Sequence, residues 1–151
     1  MVGYVLSSYT CTRRSISRIN MEKYLYFRAE ATDANDDATG DSACFPASSL
    51  MGMQPTSDTA LTLYFKSMLR RDPTGSVDHA NSLDNNDSVI LTISANTHIT
   101  AMRAICQAIA NPNMEPLIVV ANNDSGGTEY LAGSGVSSCG TITVAAAYSI
   151  S

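Results

Sequence analysis

The stretch Asp87–Asn123, DSVILTISANTHITAMRAICQAIANPNMEPLIVVANN, changes its hydrophobic period along its length and constrains the fold more than any other part of the chain. Val89, Leu91 and Ile93 alternate with Ile90, Thr92 and Ser94, a period of two rich in β-branched residues that predicts a strand. The spacing then lengthens to three and four. Ile99, Met102, Ile105, Cys106 and Ile109 fall on one face of a predicted helix, with Arg103 and Gln107 opposite. Asn96 or Thr97 offers a short polar side chain able to cap the first turn. Asn111-Pro112 ends the helix, because the residue before proline is pushed out of the helical region. Leu117–Ala121 is a short apolar run without polar alternation, the pattern of a strand covered on both faces.

Other segments repeat the period of two. Over Tyr24–Thr32, Leu25, Phe27, Ala29 and Ala31 alternate with Tyr24, Tyr26, Arg28 and Glu30. Over Ala60–Leu69, Leu61, Leu63, Phe65 and Leu69 point inward and Thr62, Tyr64 and Lys66 outward. Thr141–Ile150 alternates in the same way, and Ser42–Leu50 reads as an edge strand interrupted by Pro46. Met51–Thr59 and the polar excursion Arg70–Asp87 read as loops, and Asp124–Ser138 is rich in Gly and Ser. One helix among six or seven strands predicts an α+β fold: a largely antiparallel sheet of about six strands with one main helix packed on one face. Such a helix is only about 20 Å long and leaves the other sheet face bare. Tyr24, Tyr26 and Tyr64 are expected on that face, as partner-binding residues or packed against loops of their own chain.

At 151 residues the chain fits a basic amino-terminal arm, residues 1–20, and a single α+β domain, residues 21–151. The net charge of −5 is uneven: residues 1–28 carry +4 and the remainder −9. Arg13, Arg14 and Arg18 therefore suit docking onto a neighbouring copy or another acidic surface, with nucleic acid as the rival partner and a solvated arm without a partner as the plain alternative. No apolar run approaches the roughly 18 residues that span a bilayer. The first residues place their charges after a very short apolar part, the wrong order for a secretory signal.

The chemistry-bearing motifs fail in their contexts. Asn123-Asp124-Ser125-Gly126-Gly127 resembles the GDSGG nucleophile segment of trypsin-like proteases, but His79 and His98 lie in nothing like that family's histidine segment. A turn needing glycine explains the motif equally well. Gly133-Ser134-Gly135 looks like a phosphate cradle but is followed by a strand. The acidic run 33–41 suggests calcium, yet Ala38 stands at the sixth position and Cys44 at the twelfth, where an EF-hand needs Gly and Glu. Cys11, Cys44, Cys106 and Cys139 are scattered, without the clustered spacing of a zinc site, and read as buried free thiols, with a disulfide whose pairing the sequence does not assign as the alternative. No metal, no cofactor and no catalytic residue is expected.

The segments MEKYLYFRAEA, ALTLYFKSML and DSVILTISANTHITAMRAICQAIAN, residues 21–31, 60–69 and 87–111, resemble small proteins of marine cyanophage type. The resemblance implies a virion structural protein made in the host cytoplasm, such as a capsid decoration or other assembly subunit. Its implied partners are further copies of itself and a larger shell or tail protein, with no membrane involved. The alternative is a small module that binds a ligand or nucleic acid through the basic arm.

Overall fold

In the computed structural model, which describes residues 21–67 and 86–144, the alternating patterns sort most strand side chains into inner and outer sets, with Arg28 and Thr62, read as outward, buried and Ala31, read as inward, exposed. The elements are β1 (Tyr24–Arg28), β2 (Ser42–Pro46), β3 (Leu50–Ser57), β4 (Ala60–Phe65), β5 (Asp87–Ile93), α1 (His98–Ala110), β6 (Leu117–Asn122), β7 (Glu129–Tyr130) and β8 (Val136–Thr143). They form two four-stranded sheets, ordered β2-β1-β6-β7 and β3-β4-β5-β8. Every ladder is antiparallel except β1 with β6, which is parallel. The chain is thus α+β with one main helix, but the expected single sheet of about six strands is corrected to two sheets facing each other.

The correction has a simple origin. Alternation says which side chains turn inward and is silent on what covers them. Leu25 and Phe27 of β1, Phe45 of β2, Leu61, Leu63 and Phe65 of β4, and Val89 and Leu91 of β5 are all fully buried in one core. Phe65 meets Phe27 with ring centroids 5.8 Å apart and stacks on Phe45 at 4.2 Å. These three rings join the two layers.

Helix α1 links β5 of one sheet to β6 of the other and enters the core through Ala101, Ile105 and Ala108. This rotates the expected face. Ile99 is 66 % exposed and Cys106 is exposed, whereas the small alanines let the helix backbone approach its neighbours. Thr97 holds the N-cap position, but its hydroxyl donates to Ser94 O at 2.7 Å and caps nothing in the helix. At the other end Lys23 Nζ donates to Ala108 O at 2.9 Å and also to Asn111 O, a cation on the last carbonyls of the helix.

Three further expectations change. Met51–Thr59 is largely strand β3, hidden from pattern reading by Gly52 and Pro55. Strand β8 begins at Val136, inside the Gly- and Ser-rich stretch. Leu117, expected to be covered on both sides, is 49 % exposed. The arm 1–20, most of the excursion 70–87 and the chain after Val144 lie outside the described residues.

The thiols divide as well. Cys139 is buried as expected, but Cys44 and Cys106 are exposed. Burial pushes the Cys139 thiol up to about 12, and the thiolate is the reactive form. In the folded protein at pH 8, iodoacetamide should therefore label Cys106 at least about tenfold faster than Cys139. Equal rates by peptide mass mapping would contradict the burial.

Candidate protein interface

The outer face of the β2-β1-β6-β7 sheet can be read off the strand register, since directly paired residues share a face. Tyr24 pairs with Pro46 on one side and Leu117 on the other. Tyr26 pairs with Cys44 and Val119, and Arg28 with Ser42 and Asn122. The first two rows are apolar or aromatic and the third is polar. Tyr24 is 42 % exposed, Leu117 49 %, and Met21, just before β1, 62 %. Tyr26 and Val119 are half-buried, and Cys44 is exposed.

The polar end is closed by charge. Arg28 is buried, with Nε donating to Glu30 O at 3.0 Å and Asp36 and Asp124 each 3.8 Å from its guanidinium. Burial first and the Asp36 carboxylate second push the Tyr26 phenol above its ordinary value; Arg28 and a hydrogen bond with Ser42 partly offset this. Beneath this cluster, Asn123 joins the two sheets. Its Nδ2 donates to Ala29 O at 3.0 Å and to Cys139 O at 2.7 Å. Its Oδ1 accepts from Cys139 N at 2.8 Å and from Tyr130 OH at 3.3 Å.

Along the other side of β6 runs a groove of about 460 Å³, lined by residues that include Met114, Glu115, Leu117, Val119, Glu129 and Tyr130. It exists because β7 is so short. Among the described residues β7 pairs with β6 only at Ala121 and Asn122, and Leu131 N adds one bond to Val120 O. Among the described residues the first half of β6 has a strand, β1, on one side alone.

The residues singled out from sequence are not brought together. Tyr24 and Tyr26 lie on the outer face of the first sheet. Tyr64, on β4 between the buried Leu63 and Phe65, lies on the outer face of the second, opposite Gly52 and Ser88. A single tyrosine face is therefore corrected to two faces on opposite sides of the sandwich. Thr62, read as outward, is buried and shares a 3.1 Å hydrogen bond with Thr56. Arg13, Arg14 and Arg18 lie outside the described residues. Sequence reading missed Leu117, Val119 and Met21. The apolar run at 117–121 was the available signal, but such a run marks an interface strand as well as a core strand.

The lookalike motifs have structural employment. Asp124 Oδ1 accepts from Gly126 N at 2.8 Å, and Ser125 N donates to Ala31 O at 2.8 Å, which makes the DSGG segment a turn beside Arg28. Gly133 and Gly135 take φ of 72° and 73°, conformations that favour glycine. Between them the buried Ser134 hydroxyl donates to Leu131 O at 2.6 Å. His98 Nε2 lies 2.8 Å from Ser57 O. In the acidic loop Asp41 Oδ2 accepts from Ala38 N at 2.7 Å. Among the described residues no group of three His, Cys, Asp or Glu side chains is placed to hold a metal ion, and no helix is long and apolar enough to cross a membrane. Comparison with family models, curated proteins and solved structures finds no match for this chain.

Proposed function

We propose that the protein is a non-catalytic structural subunit of a phage particle, a capsid decoration or similar assembly protein, that associates with itself and with a larger shell or tail protein. The observation that carries this reading is the apolar half of the first sheet's outer face. Met21, Tyr24 and Leu117 are all large and substantially exposed, and Tyr24 and Leu117 are direct cross-strand neighbours. Contiguous apolar surface of this kind marks a protein partner more often than a catalytic site. Tyrosine suits such a face, because an apolar ring carries a wet tip.

The test is one double substitution and two measurements. Tyr24→Ser with Leu117→Ser should weaken self-association by roughly thirtyfold, the factor that about 2 kcal/mol of lost anchor contact produces. The melting temperature of the dissociated chain should stay nearly unchanged, since neither residue is in the core. Tyr64→Ala reports on the opposite face and should leave the same association intact. A wild-type protein that is monomeric by light scattering at every concentration would overturn the subunit reading. Binding to DNA fragments as tight as to any protein would move the basic arm to nucleic-acid recognition instead.

A further inference from the structure

We infer that the open edge of β6 is the receptor for the amino-terminal segment of a second copy, which adds to the sheet as an extended strand. This deepens the assembly reading and rests on it. Three observations lead to the site.

The first is the edge itself. Exposed strand edges present unpaired backbone groups, and proteins usually blunt them. The edges at β2, β3 and β8 are guarded: β2 ends at Pro46 and β3 contains Pro55. On β8 the Asn123 amide occupies both backbone groups of Cys139, and a Cβ on Gly40 would stand 3.0 Å from Ile142 O. The first half of β6 has no such guard among the described residues. Pro116 O accepts from Tyr24 N at 2.7 Å, so the alternation of a parallel ladder turns the N–H and C=O groups of Leu117 and Val119 away from β1, toward the groove. Strand addition uses such groups for affinity and adjacent pockets for specificity.

The second observation is charge. Glu115 and Glu129 line the groove and are exposed. Pairing two β6 edges about a two-fold axis would bring these carboxylates together. Residues 1–20 carry Arg13, Arg14 and Arg18 with no acidic residue, and Ile16 sits between the arginines. That stretch supplies the opposite charge together with an apolar side chain for the Leu117 and Val119 surface.

The third observation is where the described chain enters β1. Glu22 Oε1 accepts from Ser48 N at 3.0 Å, and Lys23 O accepts from Ala47 N at 2.7 Å. With Tyr24 N on Pro116 O at 2.7 Å, these contacts seat the start of β1 between β2 and β6, and the groove lies beyond β6. The groove is thus separated from the start of β1 by the whole of β6, and the assembly reading assigns it to a neighbour's segment.

Full-length charge-swap variants test the idea by light scattering in about 0.1 M salt, where exposed charges are screened over about 10 Å. Glu115→Lys with Glu129→Lys should weaken self-association about tenfold or more, the scale of reversing several exposed pairs. Arg13→Glu, Arg14→Glu and Arg18→Glu together should do the same. Combining all five substitutions in one chain should restore association. A wild type that associates while the groove variant associates equally well would overturn the inference and leave the subunit reading standing. A groove variant with normal association but a lowered melting temperature would show the segment closing its own groove, and would overturn the inference too. A monomeric wild type would overturn the subunit reading itself.

Discussion

Ile105→Asp should unfold the protein at 25 °C. Ile105 is fully buried at the centre of the helix face that enters the core. Removing its side chain alone costs roughly 2–5 kcal/mol in lost transfer energy and cavity formation. A carboxylate at that point must also be desolvated without a partner, and the sum reaches the roughly 5–15 kcal/mol by which domains are stable. Ile99→Asp is the informative control. The hydrophobic spacing puts Ile99 and Ile105 on one face, whereas the fold leaves Ile99 66 % exposed. Far-ultraviolet circular dichroism and urea melts should find Ile99→Asp within about 1 kcal/mol of wild type. Two equally destabilised variants would restore the face predicted from spacing and contradict the observed one.

The discrepancy at Ile99 shows what periodicity can and cannot deliver. The period correctly marks a helix over this stretch, but its apolar stripe is broad enough to allow several phases. Ala101 and Ala108 settle the phase, and alanine carries little weight in a pattern of large apolar residues. The strands were more legible. Leu25 with Phe27, Leu61 with Leu63 and Phe65, and Val89 with Leu91 and Ile93 are all buried where alternation places them. Strand β3 was illegible because Gly52 and Pro55 are loop residues by composition; they are tolerated at a sheet edge, where one side needs no ladder.

Charge was legible in sum and not in use. Lys23 and Arg28 contribute to the basic balance of residues 1–28, yet the fold occupies both. Lys23 sits on the carboxyl end of α1 and Arg28 lies between Asp36 and Asp124. Of the basic residues in 1–28 that leaves Arg13, Arg14 and Arg18, which lie outside the described residues. The interface face was half legible: Tyr24 and Tyr26 follow from alternation along one strand. Their neighbours Leu117 and Val119 depend on a parallel pairing across more than ninety residues of chain, which no local pattern records. Tyr64 fell on the wrong side because two strands of equal alternation can belong to different sheets.

Asn123→Leu should lower stability by about 3 kcal/mol, the second largest effect expected here. The side chain makes four hydrogen bonds, and its partners Ala29 O, Cys139 O, Cys139 N and Tyr130 OH come from both sheets. A hydrogen bond contributes about 1 kcal/mol net, and a group stranded in the interior costs more. The site is only half-buried, so water replaces part of what is lost and holds the total below the sum of four stranded groups. The neighbouring Asn122, whose Oδ1 accepts among the described residues from Asp124 N alone, at 3.2 Å, should cost under about 1 kcal/mol as Asn122→Ala. Asn123→Asp separates hydrogen bonding from packing. Its ionised carboxylate keeps the acceptor role toward Cys139 N but faces the Ala29 and Cys139 carbonyls without a donor, beside the acidic Asp124. The folded state then favours the neutral acid, so the folded pKa rises above the unfolded value of about 3.9. The destabilisation is fully present above the folded pKa and is relieved as pH falls through it, because the protonated carboxyl can donate again. Urea melts of Asn123→Asp and wild type should therefore converge between pH 7 and about pH 4, while the gap for Asn123→Leu stays constant. A pH-independent gap for the aspartate, or a leucine variant as stable as wild type, would mean that the sheets are held at this end by packing alone.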